Sequence, residues 1–320
     1  MRAIVYDRYG APDVLRLADI AVPEIGDDEV LVRVRAASVN SWDWDLVTGT
    51  PVVFRFWGLF KPKHRVPGAD VAGQVEAVGK NVTRFRPGDE VFGDLCQCGW
   101  GGFAELARAR ESALALKPAG MTFEQAAATP QAGAMALQGL RDEGAIRPAQ
   151  TILINGAGGG VGTFAIQIAK SFGAEVTGVD RAEKLETMRS VGADHVVNYA
   201  REDFAQNGRT YDLILDAAAH RSMFDYSRAL SPGGTYVMLG GSVGRILELL
   251  LLGPWISRSE RKKMRILAAK ANHELAVLAE LFQAGKVRPV IDRCYPLAEV
   301  ADAFRYFGEG RACGKIVITL

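Results

Sequence analysis

The chain has 320 residues, a formal net charge of +1, 48% hydrophobic and 23% charged residues, and cysteines only at 96, 98, 294 and 313. That length favours about two domains, each able to bury a core without disulfides. The scattered cysteines form no disulfide framework and suit a reducing cytosol. The near-zero charge supplies no field strong enough to steer the whole molecule to nucleic acid or anionic lipid.

In chain order, residues 1–6 read as a strand and not as a signal peptide. Residues 29–35 alternate apolar and polar, as a half-buried strand does, and 72–79 and 89–93 continue the pattern. Gly-Asp and Pro-Gly pairs punctuate them as turns. This texture predicts a small barrel or sandwich. It changes near Pro118: residues 122–140 are alanine-rich with helical spacing, opening at Phe123-Glu124-Gln125.

From Thr151 strands and helices alternate, with strands at 151–155, 175–179, 195–198, 212–216 and 235–239 and helices at 163–172 and 182–190. This rhythm predicts a doubly wound parallel sheet. Residues 242–272 interrupt it. They hold an apolar run, 246–255, that carries Glu248 and Pro254 and is shorter than the roughly 20 residues a membrane span needs. The run reads either as the lining of a cleft mouth or dimer contact, or as a plain buried helix. Arg258, Arg261, Lys262, Lys263 and Arg265 follow and read as a solvated helix face. A helix at 274–284 resumes the rhythm. Residues 314–320 form a final strand, whose partner sheet the pattern leaves open. No internal repeat and no low-complexity segment occurs.

The stretch Gly156-Ala157-Gly158-Gly159-Gly160-Val161-Gly162 follows a strand, opens a helix and lies inside a βαβ unit. That is the context in which a glycine-rich turn binds a dinucleotide. One residue reverses the chain, one lets backbone approach the pyrophosphate, and one lets helix pack on strand. The freed N–H groups and the helix dipole then face the phosphates. About 20 residues on, Asp180 stands where a carboxylate would hold the ribose hydroxyls of NAD. Arg181 and Lys184 follow and suit the extra phosphate of NADP. Gly240 and Gly241, after the strand at 235–239, suit close approach of backbone to a cofactor.

The chain resembles a zinc-free medium-chain dehydrogenase/reductase of the quinone oxidoreductase-like branch over nearly its whole length. Ala37-Ser38-Val39-Asn40 with Asp43-Trp44 resembles the family's loop near the substrate. Pro67-Gly68-Ala69-Asp70-Val71-Ala72-Gly73, Val78-Gly79 and Pro87-Gly88-Asp89-Glu90-Val91 resemble its GroES-like barrel. Asn155 through Gly162, Gly192-Ala193-Asp194, Asn198-Tyr199 and the terminal Gly314-Lys315-Ile316-Val317 resemble its cofactor domain.

The resemblance implies a GroES-like β-barrel domain at 1–118, completed by about 288–320, with a Rossmann domain at 119–287 inserted and the active site between them. It implies a homodimer, commonly made by joining Rossmann sheets edge to edge. It implies NADP(H), with Lys184 at the 2′-phosphate and Tyr199 at the adenine, and it places Lys315 among the cofactor-binding residues. Such members usually carry a small residue at the place of Asp180, so NAD(H) remains open.

A catalytic zinc needs three ligands and an open position. Zinc-dependent relatives carry cysteine at the place of Ser38 and a His-Glu pair at Ala69-Asp70, and their third ligand falls near Ala128. Cys96 and Cys98, with His64 isolated, make no second site. No metal is therefore expected. Without a Lewis acid, hydrogen bonds must polarise the acceptor. Activated acceptors such as quinones and α,β-unsaturated carbonyls are then easier substrates than alcohols.

Asn40 is the expected orienting group for the acceptor, and Trp44 is either an aromatic wall or barrel core. Asp45 stands where relatives often have a basic residue, and Met135 where they often have threonine. The expectation is a cytoplasmic NADP-dependent quinone or enone reductase acting on a small molecule, with no nucleic acid and no membrane span. A carbonyl or alcohol dehydrogenase, and a non-catalytic NADPH-binding redox sensor, are the alternatives.

Overall fold

A computed structural model describes residues 1–51, 55 and 58–320. They form two compact units. The first comprises Met1–Ala134, Lys270–Gly285 and Pro289–Leu320, the second Met135–Ala269 and Lys286–Arg288. Boundaries at 118 and 287 would assign 119–134 and 270–285 to the second unit. They fall in the first because Ala126, Ala127, Ala128 and Leu275 bury themselves against Ala36, Ala72, Phe92 and Val317 of its sheet.

In the first unit β1 (Arg2–Val5) and β2 (Arg16–Asp19) pair as an antiparallel ribbon. The main sheet uses β3 (Glu29–Val39), β4 (Asp70–Val78), β5 (Glu90–Asp94), β6 (Leu106–Arg110) and β7 (Leu114–Leu116). Along β3, Val30, Val32 and Val34 are buried, matching the expected alternation. From Ala36 to Val39 both faces are covered, because α2 (Phe123–Ala127) packs there. α1 (Ser41–Thr48) follows β3 directly. Pro130 opens α3 (Pro130–Gln138) and splits the expected helix at 122–140, which ends in a single π turn, Gly139–Glu143.

The second unit contains β8 (Thr151–Asn155), α4 (Gly160–Ser171), β9 (Glu175–Asp180), α5 (Leu185–Ser190), β10 (His195–Asn198), β11 (Tyr211–Asp216), α6 (Met223–Ala229), β12 (Leu230–Met238), α7 (Val243–Ser259) and β13 (Lys263–Ile266). Its sheet runs in the order β10-β9-β8-β11-β12-β13 with every pair parallel. This is the expected doubly wound sheet, with one strand more than the sequence rhythm predicted.

Residues 242–272 do not interrupt the pattern. Ser242 caps α7 by accepting the Arg245 N–H, and the chain then returns as β13, the sixth parallel strand. The basic cluster is accordingly not one helix face. Arg258 ends α7, Arg261 sits in the following turn at φ 56°, and Lys263 and Arg265 lie on β13.

The chain closes in the first unit with α8 (Leu275–Gln283), β14 (Ile291–Pro296), α9 (Val300–Gly308) and β15 (Lys315–Thr319). β15 lies between β14 and β3, with Val317 opposite Ser38. The open question of its partner is thus answered by the first unit's sheet. No described helix is long and apolar enough to cross a membrane.

Candidate active site

At the carboxyl end of β8, Gly156 turns the chain with φ 77°. A Cβ at Gly162 would lie 2.3 Å from the Gly156 carbonyl oxygen and 2.5 Å from Ala157 Cα, so the first turn of α4 packs directly on the backbone of the loop. A Cβ at Gly158 would lie 2.5 Å from Lys184 Cβ. Glycine is therefore needed at both positions, at Gly162 against rigid backbone and at Gly158 against a side-chain stem. Gly162→Ala is expected to cost about 2 kcal/mol of stability, an overpacking penalty, and to abolish measurable dinucleotide binding in a titration of cofactor fluorescence.

Asp180 is buried, and its Oδ2 accepts the Gly158 N–H at 2.9 Å while Oδ1 accepts the Arg181 N–H at 2.9 Å. Lys184 is also buried, with Nζ 3.9 Å from Asp180 Oδ1. The carboxylate thus braces the glycine turn from below. Arg181 is half-buried, and its guanidinium is hydrogen-bonded by the Tyr199 side chain, which raises its already high pKa. The Tyr199 ring stands 6.4 Å from that of His220, whose Nδ1 meets the Ala218 carbonyl at 2.8 Å. Sequence reasoning missed His220, which no motif marks.

Neighbouring strand ends complete the cradle. Asp216 is fully buried, and its Oδ1 accepts from Asn155 Nδ2 at 2.8 Å and the Ala218 N–H at 3.1 Å. Its Oδ2 accepts the Tyr236 hydroxyl at 2.8 Å, and burial raises its pKa. These bonds fix the Ala217-Ala218 turn, which a Cβ at Gly156 would meet at 3.2 Å. Ala219 bridges Gly241, and a Cβ at Gly240 would point into open space.

In the first unit the end of β3, α1, β4 and β15 meet in a buried polar network. Asp43 accepts three backbone N–H groups, from Asn40 at 2.9 Å, Gly68 at 3.1 Å and Ala69 at 3.0 Å. Asp70 accepts the Ser38 hydroxyl at 3.3 Å and the Gln131 N–H at 3.2 Å. Lys315 is 3% exposed; its Nζ lies 3.7 Å from Asp70 Oδ2 and donates to the Val39 carbonyl and to Asn40 Oδ1. Asp94 lies opposite Asp70 on β5, and the Asn272 side chain bonds both its N–H and its carbonyl at 2.8 Å.

Burial pushes Asp70 up to about 7, opposed by the Lys315 ammonium. Asp43 and Asp94 are raised for the same reason, and burial lowers Lys315. Two buried amide nitrogens in this unit, Asn40 Nδ2 and Gln131 Nε2, make no hydrogen bond. Gln131 is a second residue that sequence reasoning missed.

Trp44 packs against α9, stacked 6.4 Å from Phe304 and tilted at 6.1 Å from Phe307, with Gly308 leaving room for its ring. Asp45 has its carboxyl pushed to about 6 by burial. A carboxyl raised in the folded state binds its proton more tightly there. Stability therefore falls as pH rises from the unfolded value near 4 through 6, then levels. Asp45→Asn is expected to raise stability by about 1 kcal/mol above pH 6 and to leave it nearly unchanged below pH 4, read from urea midpoints across pH.

Ala69 and Ala128 offer no metal donor, and Ser38 is spent on Asp70. Cys96 and Cys98 are free thiols in one short turn, Cys96 raised by burial. Among the described residues no three His, Cys, Asp or Glu side chains group to hold a metal.

A glycine cradle at the carboxyl ends of a parallel sheet, in a chain that also folds a mainly antiparallel unit, defines a nicotinamide dinucleotide oxidoreductase of the alcohol dehydrogenase type. Residues 26–119 match the alcohol dehydrogenase GroES-like domain, 124–221 the C-terminal domain of alanine dehydrogenase/PNT, and 191–318 the zinc-binding dehydrogenase model. An NADPH-dependent alkenal/one oxidoreductase of Arabidopsis thaliana is 35% identical over 99% of this chain and 79% of its own length. The quinone oxidoreductase of Coxiella burnetii superposes with a TM-score of 0.89 at 28% identity, covering 100% and 99% of the two chains. An NAD-dependent alcohol dehydrogenase structure superposes at 0.86 with 31% identity over 100% of both. The chain belongs to the medium-chain dehydrogenase/reductase superfamily, among its quinone oxidoreductase-like members.

Proposed function

We propose that this protein is an NADPH-dependent reductase that delivers hydride to a quinone or an α,β-unsaturated carbonyl without a metal. The observation that carries this reading is the Asn40 amide. Its Oδ1 is taken by Lys315, and its buried Nδ2 has no partner in hydrogen-bond geometry, acting on the Asp70 carboxylate only as a nearby donor that favours its charged form. A buried donor of this kind costs about 1–3 kcal/mol. An acceptor oxygen placed on it recovers that cost, and more as negative charge develops on the oxygen.

The cradle residues Gly156, Ala157, Gly158, Gly159, Gly160, Val161 and Gly162 suit the pyrophosphate, with Gly240 and Gly241 beside them. When bound, the reduced nicotinamide supplies the hydride. Asn40 holds the acceptor's oxygen, Lys315 holds Asn40, and solvent returns the proton to the enolate or hydroquinone oxygen. The alkenal/one oxidoreductase and the quinone oxidoreductase to which the chain is similar support the same substrate classes.

For the cofactor, Asp180 is occupied by the glycine turn, while half-buried Arg181 and exposed Tyr199 stand beside Lys184. This favours NADP(H) over NAD(H). Arg181→Ala is expected to raise the KM for NADPH about tenfold and to leave that for NADH unchanged, the loss of one charged hydrogen bond to phosphate. The thiol chemistry suits a cytoplasmic setting, and the open edge of β13 suits a homodimer.

The test is a spectrophotometric screen at 340 nm of NADPH against NADH, with quinones, enals, aldehydes and alcohols, with and without chelator. NADPH-driven reduction of a quinone or enone, indifferent to chelator, is expected. Equal rates with both cofactors would remove the NADP assignment, and chelator-sensitive rates would remove the metal-free mechanism. Sustained alcohol oxidation with NAD would favour the alcohol dehydrogenase reading that the solved structure of that activity supports. Tight NADPH binding without turnover would make the protein a sensor.

A further inference from the structure

The first unit carries a polar cavity of about 310 Å³ that the active-site network does not use. Three segments wall it. The turn Cys96–Cys98 gives Gln97 and Cys98. The end of β6 and the turn after it give Arg110 and Ser112, and the turn before α8 gives Asn272 and His273. The volume stands at the lower limit of small-molecule sites, which are mostly apolar. This cavity is lined mainly by hydrogen-bonding side chains instead, so it does not suit a quinone or an enone.

The walls are tied to one another. The Arg110 N–H donates to Cys98 Sγ at 3.4 Å, and the Cys98 N–H donates to the Leu95 carbonyl at 2.8 Å. Asn272, at a left-handed φ of 64°, is clamped to the backbone of Asp94 through both ends of its amide. The cavity is therefore preformed, and a ligand loses little affinity to ordering it.

Its charge has one sign. Arg110 is exposed and has no ion-pair partner among the described residues. No acidic side chain lines the cavity among the described residues. The acids on the adjoining elements are engaged elsewhere or buried. Glu29, opposite Arg110 on β3, accepts the Gly26 N–H at 2.8 Å, and Glu111 accepts the Thr83 N–H at 2.8 Å. Asp94 turns Oδ1 to the Cys96 N–H at 2.8 Å, and Glu274, next to His273, is buried. A guanidinium fork flanked by a hydroxyl, a primary amide and an imidazole matches three anionic oxygens better than two.

We propose that this cavity binds a phosphate monoester, with its phosphoryl group on Arg110 and Ser112 and further contacts from Gln97 and His273. The site is distinct from the cofactor cradle, whose glycines belong to the second unit. The inference stands apart from the reductase reading, because its readout is binding and involves no turnover.

The test is calorimetric titration of the full-length protein with inorganic phosphate and with glycerol phosphate, in chloride buffer of matched ionic strength, with and without saturating NADPH. Saturable binding of both probes is expected, and it is expected to persist when NADPH fills the cradle. Arg110→Gln is expected to weaken it at least tenfold, roughly the loss of a charge-assisted pair. His273→Gln is expected to weaken it about threefold, the loss of one ordinary hydrogen bond. Both side chains are exposed, and an unchanged thermal melt without phosphate confirms folding. NADPH affinity is expected to be the same in Arg110→Gln as in the wild type. Absence of saturable binding, equal binding by Arg110→Gln, or loss of binding when NADPH is present overturns the proposal. So does tighter binding of succinate than of either phosphate, which would assign the cavity to a dicarboxylate.

Discussion

Asn40→Ala lowers kcat/KM for the quinone or enone about a hundredfold, the typical effect of deleting one donor to a developing oxyanion. Most of the loss is expected in kcat, because the donor's value grows as charge moves onto the acceptor oxygen. NADPH affinity, measured by titration without acceptor, is expected to change less than about twofold, since the cradle lies on β8 and β9 of the second unit. Asn40→Asp separates donor from shape. It keeps the side chain's size and offers Lys315 an even better partner, but at neutral pH it removes the N–H. Activity equal to wild type in Asn40→Asp would show that the amide nitrogen donates to nothing that matters.

The contrast between what the sequence displays and what it hides follows from range. The glycine turn was legible because all its constraints fall within seven residues and one βαβ unit. The alternation in β3 was legible because half-buried strands repeat every second residue. The interruption inferred at 242–272 was an error of the same origin. Apolar residues on both sides of α7 blur the helical period, and β13 is too short and too basic to look like a parallel strand.

The spacing of Asp180 suits a ribose carboxylate but says nothing of its other bonds. Its bond to the Gly158 N–H depends on how β9 lies beside β8, which no local pattern reveals. Lys315 is the clearest case. Its partner Asn40 is 275 residues away, and the two meet only because β15 pairs with β3. Gln131 and His220 carry no motif, and only the assembled site singles them out.

Lys315→Met is expected to cost about 1–2 kcal/mol of stability at pH 8, because Asp70, deprived of its partner, takes up a proton in the folded state instead of remaining a stranded charge. The methionine fills the volume of the lysine stem, so a cavity contributes little. The cost arises instead at Asp70, which loses the ammonium 3.7 Å away while remaining fully buried. Its pKa, about 7 with Lys315 present, must rise further. The sign of the pH dependence follows. Asp70 is protonated more readily in the folded than in the unfolded state, so the variant loses stability progressively as pH rises above the unfolded value near 4, until the raised folded value is passed.

Near pH 5 the variant is therefore expected to approach wild type, and the gap in urea midpoints is expected to widen toward pH 8. Adding Asp70→Asn to Lys315→Met removes the unpaired carboxyl and is expected to restore most of the lost stability at pH 8, because replacing both partners of a buried pair is close to neutral. It is not expected to restore turnover, since Asn40 Oδ1 still lacks its donor and the amide is free to rotate. Stability and activity thus part company in the double variant. A double variant that recovered both would show that Lys315 serves only to balance Asp70 and does nothing to orient Asn40.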